Sequence, residues 1–463
     1  SRQAHYRNRP QDAPFFAVFN QIITHESRIW VMSGNQLLVD PEKVPIPDYF
    51  PKDNEIVKQD VARKYSNISL MDHQIGVFMD ELEENGLLDS TIIVFWSDHG
   101  GMLPREKRAL YNSGIKVPLI IRFPEKLMAG QRVADLVSLM DLGPTMMSLA
   151  GLEKPAYMDG KIFIGPNKEE RNYVFAARDR MDSQYDMLRA VHDGRFKYLR
   201  NYYPEKPFKQ LNQYRLQIPM MRELDRMYKE GELKGIPAIW YGKQKPVEEL
   251  YDTHTDPYEV NNIADLEEHE TKLKELREVM DEWMKENPDL GLIPEPEMWE
   301  MQKTGQKPVA DQIAERSDFF EDIIEISWKS LHPQQHFEEL KEGLNSDNAS
   351  VRYWSVRGLG RLEDKREEVV EMLLKMVDDP STSVRINTAW ALSNLESPAG
   401  ASLFTKLLKS DLFYYAKMMT INYAGDLEEK SKNLEDLLAN MAENHEERYM
   451  RRAAQSALMK IRG

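Results

Sequence analysis

Cysteine is absent from all 463 residues. Disulfides, thiolate metal sites and a cysteine nucleophile are therefore excluded within this chain, and its redox compartment stays open. No stretch approaches a run of about 18 uncharged apolar residues, so no membrane-spanning helix is expected. Basic residues are outnumbered, 61 Lys and Arg against 77 Asp and Glu, for a net charge of −16. That balance argues against broad nucleic-acid binding, and a polyanionic substrate would need a locally basic pocket. The first ten residues, Ser1 to Pro10, contain neither an initiator methionine nor the apolar core of a signal peptide. Soon afterwards comes Phe15-Phe16-Ala17-Val18-Phe19, an apolar run that reads as a buried strand with no earlier strand to pair with. The expectation is a chain whose upstream part lies elsewhere. What is present, 41% hydrophobic and 30% charged residues, is globular composition with material for a large core.

The first 170 residues alternate strand and helix signals. After the strand at 15–20 and a Pro-rich loop at 41–51, Ile68, Met71, Ile75, Phe78, Met79 and Leu82 recur at helical spacing. They predict a helix over 55–85 that Asn85-Gly86 ends. Thr91 to Trp96 is β-branched and aromatic without charge, the pattern of a central parallel strand. Val117 to Ile121 predicts another strand, and Asp141 reads as the cap of a helix over 141–150. This order predicts an α/β fold with a mainly parallel sheet sandwiched by helices, whose ligands sit past the carboxyl ends of the strands. Residues 171–287 read as a smaller α+β subdomain and the Pro-rich stretch 288–334 as a linker.

The remainder, 335–463, repeats itself. Val351-Arg352 with Gly358-Leu359 and Leu362 returns as Val384-Arg385 with Ala391-Leu392 and Leu395. Weaker copies start at Ala416 and Met450. A helix-pair unit with small residues on its packing face predicts an all-α solenoid resembling HEAT repeats. Such a surface offers room for a protein partner or for self-association, and the repeats name neither.

Chemistry concentrates at the end of the strand 91–96. Asp98 and His99, flanked by Ser97 and Gly100, place a carboxylate and an imidazole where a cation can bind at a sheet rim. Arg105, Lys107 and Arg108 follow as anchors for an oxyanion. A capped turn followed by a solvated basic segment fits the same residues. His25 reads equally as a loop histidine beside Glu26. Arg178 and Arg180, with Tyr202-Tyr203-Pro204, fit a glycan subsite, although a solvated face accounts for them as well.

The segment 91–124 resembles the second signature region of the sulfatase family, within the alkaline phosphatase superfamily. The likeness continues through Asp141-Leu142-Gly143-Pro144-Thr145, Gly151 with Met158-Asp159-Gly160, and Glu249-Leu250-Tyr251-Asp252 with Asp256-Pro257, Glu259 and Asn261-Asn262. It spans about 12–270, in the flavour of heparan N-sulfatase-like enzymes acting on sulfated glycans. The resemblance implies hydrolysis of a sulfate ester or sulfamate, with one divalent cation, usually calcium, and a formylglycine. By that likeness Asp98 and His99 are metal ligands, and Lys107 and His25 contact the sulfate. Arg105, Arg178 and Arg180 are then substrate-binding candidates. Two departures stand out. His99 occupies a position where asparagine is commoner, and His is a softer donor than calcium prefers. The C/S-x-P-x-R context of formylglycine occurs nowhere in the sequence, so this chain by itself is expected to be inactive. A periplasmic or secreted location follows from the resemblance alone.

Two rival readings remain. A phosphoester or phosphonate hydrolase of the same superfamily would suit the Asp-His pair. A non-catalytic binding protein would carry its function in the solenoid and keep the α/β part as a relic.

Overall fold

The computed structural model describes residues 5–10, 13–30, 37–315 and 317–463. It divides into two compact units. One comprises Ser1–Lys107, Val117–Gln131 and Leu216–Leu233; the other comprises Arg108–Lys116, Arg132–Arg215 and Lys234–Gly463.

The first unit is organised by the helix Glu55–Glu84. Asn54 caps it by accepting the Val57 N–H at 3.1 Å, and Gly86, at φ +64°, lets the chain leave in a left-handed turn. A second helix, Pro219–Lys229, belongs to the same unit. Asn54 Nδ2 donates to Glu223 of that helix at 2.7 Å. Strand β1 (Ile93–Trp96) pairs with β2 (Leu119–Arg122), Ile93 opposite Arg122 and Trp96 opposite Leu119. The pairing is antiparallel, which corrects the parallel arrangement expected for this strand. An apolar run announces burial, but it carries no record of its partner's direction.

The strand expected at 15–20 does not form among the described residues. Residues 13–20 adopt no regular structure, and Phe16 is 81% exposed. Phe15 stacks on Tyr6 at 5.0 Å and Phe19 meets Phe78 at 4.7 Å. Side-chain packing of this kind holds the segment without the backbone ladder that defines a strand.

The second unit holds the four-stranded antiparallel sheet β3 (Val174–Arg178), β4 (Leu188–His192), β5 (Phe196–Asn201) and β6 (Glu248–Asp252), in that order. The helix Glu270–Glu286 buries Leu273, Leu276, Met280 and Met284, the i, i+3, i+7, i+11 stripe that a sheet face requires. This sheet and helix lie within the stretch read as an α+β subdomain, of which Leu216–Leu233 belongs to the first unit. The helix predicted at 141–150 spans Leu142–Leu149, but Asp141 does not cap it with its side chain. The Asp141 carboxylate instead accepts the Ser138 and Lys161 N–H groups and pairs with Arg171 at 2.6 Å.

Residues 288–334 are not a linker. They contain the helices Glu295–Thr304, Val309–Ala314 and Ser317–Leu331. Pro294 and Pro308 stand at N-caps and Pro296 lies in a first turn, where a missing N–H costs no helical bond. Prolines that suggested a linker therefore begin helices.

The repeats are helix pairs. Ala349–Leu359, Thr382–Asn394, Tyr414–Asp426 and Arg448–Arg462 carry the recurring residues, and Val351, Val384, Ala416 and Met450 are all buried. A Cβ added at Gly425 would lie 2.7 Å from Ala457 Cα, so the small residue permits that approach. The solenoid shares one hydrophobic core with the α+β subdomain. Trp354 Nε1 donates to the Leu292 carbonyl at 2.8 Å, and the hydroxyls of Tyr203 and Tyr353 lie 2.8 Å apart. The Arg357 guanidinium packs 3.5 Å over Trp390 and pairs with Glu205.

Candidate active site

The loop leaving β1 carries Asp98 and His99. Ser97 Oγ donates to the His99 carbonyl at 2.6 Å, closing the turn. His99 Nδ1 lies 2.9 Å from the Gly100 carbonyl, which can only accept, so the proton is on Nδ1. Its Nε2 lies 3.7 Å from Asp98 Oδ2. These two donors face one region, and the Asp98 side chain is 86% exposed. Among the described residues no group of three His, Asp or Glu side chains is placed to hold a metal. Calcium takes about six to eight oxygens, so Asp98 and His99 make a partial fit to a cation.

The same loop is held from beneath by Glu106, which is 2% exposed. Its Oε1 meets Lys64 Nζ of the helix Glu55–Glu84 at 2.5 Å, and its Oε2 accepts the Leu103 N–H at 2.7 Å. Gly101 lies so close to this carboxylate that a Cβ there would collide with it. The Lys107 N–H donates to the Gly101 carbonyl at 2.9 Å, so the backbone of Lys107 is fixed to the loop that carries Asp98.

Lys107 Nζ lies 3.3 Å from Glu26 Oε1, a carboxylate that is 1% exposed. His25 precedes that carboxylate and opens the short helix Glu26–Arg28. Its Nδ1 accepts the Ser27 N–H at 3.3 Å and sits 2.9 Å from Ser27 Oγ. An accepting Nδ1 places the neutral ring's proton on Nε2. Desolvation, then the Lys107 charge, pull the His25 pKa below its ordinary value, against the upward pull of Glu26. Charges on His99 and Asp98 also reach this ring. The structure thus brings together His25, Lys107, Asp98 and His99, residues spread over more than seventy positions of sequence.

The three candidate substrate arginines fare differently. Arg105 is 7% exposed, with its guanidinium 4.8 Å over the Tyr49 ring and φ at +60°. Arg178 and Arg180 belong to the other unit. Arg180 is bound by Glu295 at 2.7 and 2.9 Å, whereas Arg178 is buried 3.9 Å from Asp186 with no partner for Nε among the described residues. Glu26, Ser27, Lys64 and Glu106 were missed from sequence, because burial of a polar residue leaves no mark on its own letter. The downstream signature proves to be a lock within the second unit. Glu249 accepts the hydroxyls of Tyr111 and Tyr251 at 2.7 and 2.6 Å, and Glu259 pairs with Lys197 at 2.7 Å with both side chains 1% exposed.

A family model described as sulfatase matches residues 3–152, and one for the C-terminal part of N-sulphoglucosamine sulphohydrolase matches 101–237. An ulvan-active sulfatase of Formosa agariphila is 41% identical over 334 residues, covering 64% of this chain and 56% of that protein. Residues 3–152 thus match the sulfatase family. The human N-sulphoglucosamine sulphohydrolase is 26% identical over 268 residues, covering 54% of this chain and 52% of that protein. The chain thus spans about half the length of these curated relatives. A HEAT-repeat model matches residues 337–422. Among solved structures, the phosphonate monoester hydrolase of Agrobacterium radiobacter aligns at 21% identity with a TM-score of 0.35, covering 50% of this chain and 42% of that one.

Proposed function

We propose that this chain is the part of a sulfated-glycan sulfatase that carries the sulfate-holding lysine and histidine. The observation that supports the reading is the convergence of Lys107, His25 and the Asp98–His99 pair within one unit of a chain whose residues 3–152 match the sulfatase family. Lys107 contributes an ammonium to the sulfuryl oxygens, where charge grows as the sulfur–oxygen bond breaks. His25, held neutral with its proton on Nε2, donates a hydrogen bond to an oxygen of the ester and so stabilises the charge that develops there. Asp98 and His99 would hold part of a divalent cation's shell, calcium by family likeness, and that cation would neutralise sulfuryl charge. The formylglycine of the family supplies the nucleophile, and its C/S-x-P-x-R context is not in this sequence. The substrate class, a sulfated glycan with the sulfate on oxygen or nitrogen, is carried over from the ulvan-active and N-sulphoglucosamine relatives.

The test is turnover of an aryl sulfate and its aryl phosphate counterpart by a protein joining this chain to a formylglycine segment. Preference for the sulfate, lost in Lys107→Ala, supports the reading. Preference for the phosphate would move the protein to the phosphoester hydrolases.

A further inference from the structure

Glu26 has no role in the chemistry described above, yet it is the most enclosed charged group of the site, at 1% exposed against 20% for the Lys107 side chain. A carboxylate so placed is costly to ionise unless a cation answers it, and Lys107 Nζ lies 3.3 Å away. Each is tied by its own backbone. Lys107 is tied by its backbone to Gly101, and Glu26 by its carbonyl to the Ile29 N–H at 3.1 Å. Three consecutive residues thus divide the work: His25 presents its ring, Ser27 fixes the tautomer of that ring, and Glu26 reaches the lysine.

We propose that Glu26 is the positioning residue and counter-charge of Lys107: it orients the ammonium toward the sulfate subsite and weakens the grip of that subsite on a free anion. The inference rests on the sulfatase reading for the identity of the anion, but not for the orientation of the lysine. A sulfate dianion arriving at Lys107 meets a site already half-neutralised by Glu26. The lysine therefore stabilises charge that develops in the transition state without holding inorganic sulfate tightly afterwards. An ammonium lacking this carboxylate would swing on its four-carbon stem and would bind the product more strongly.

The experiment uses this chain and four variants, Glu26→Gln, Glu26→Asp, Lys107→Ala and Lys107→Met. Side-chain NMR of Lys107 reports its order without any ligand, and titration with inorganic sulfate reports the subsite. The expected result is an ordered Lys107 in the parent chain and in Glu26→Asp, and a mobile one in Glu26→Gln. Sulfate should bind Glu26→Gln about tenfold more tightly than the parent, the effect of one unit charge removed at short range, and Glu26→Asp near the parent value. Lys107→Ala should lose the binding. An equally ordered Lys107 in Glu26→Gln, or unchanged sulfate affinity in that variant, overturns the proposal. Ordering by Glu26 with no sulfate binding to any variant supports the positioning role and sinks the sulfate-subsite reading instead. Should Glu26→Gln not fold, the double variant with Lys107→Met decides: stability no lower than that of Lys107→Met alone shows the pair coupled, and a further loss overturns the proposal.

Discussion

Lys64 Nζ and Glu106 Oε1 lie 2.5 Å apart and join the helix Glu55–Glu84 to the loop that presents Lys107. Glu106 is 2% exposed, so the pair is half-enclosed and its loss strands a carboxylate. Lys64→Met should cost about 3–5 kcal/mol, the penalty for breaking one side of a buried pair. Urea unfolding monitored by tryptophan fluorescence checks it. A loss under half a kcal/mol would mean that the loop is held by its backbone bonds alone.

Asp60, on that helix, is a buried carboxylate as well. It is 1% exposed and accepts the Met220 N–H at 2.7 Å, capping the start of the helix Pro219–Lys229. Desolvation pushes its pKa up to about 7 from 3.8, with the Met220 N–H and the charges of Arg63 and Arg222 pulling the other way. A raised carboxyl favours the neutral folded form. Its contribution is complete below the unfolded value near 4 and is lost as pH climbs through 7. Asp60→Asn, which carries no charge to ionise, should gain about 1–3 kcal/mol over the parent at pH 8 and little at pH 4. Denaturation at the two pH values tests the difference, and an equal effect at both would remove Asp60 as the titrating group.

Lys107→Ala, in a protein carrying the formylglycine segment, should lower kcat/KM by about 100-fold, the usual loss of one charge-stabilising donor. Kinetics on a small aryl sulfate reads it. Near-parental kinetics would remove Lys107 from the site.

The chain by itself should release no sulfate from an aryl sulfate, because no residue of it lies in a formylglycine context. Ion chromatography of released sulfate is the measurement. Robust turnover would show that another nucleophile serves.

The solenoid and the α+β subdomain should unfold together, since they share one core and the Tyr203–Tyr353 hydroxyl contact. Arg357→Met takes from Glu205 its nearer cation, leaving Arg361 at 3.6 Å, and should cost about 3–5 kcal/mol. It should shift one common transition, seen alike by fluorescence and by near-ultraviolet circular dichroism. Two separate transitions would restore the picture of repeats on a tether.

The residues determined the helices, the repeats and the family likeness by themselves, for a plain reason. Helix periodicity and the return of Val351 as Val384 and Ala416 are local patterns, and the Asp98–His99–Lys107 spacing is a local motif. Partner and direction were decided only in three dimensions. The run at 93–96 was legible as a strand, but its antiparallel mate at 119–122 was not. The apolar run at 15–20 forms no ladder among the described residues. Prolines at 294, 296 and 308 looked like a linker until their positions at helix starts showed that they break no bond. Glu26 and Glu106 are the sharpest case. Each is an ordinary acidic letter in a charged neighbourhood, and only the packing that closes over it turns it into a buried carboxylate that a lysine must answer.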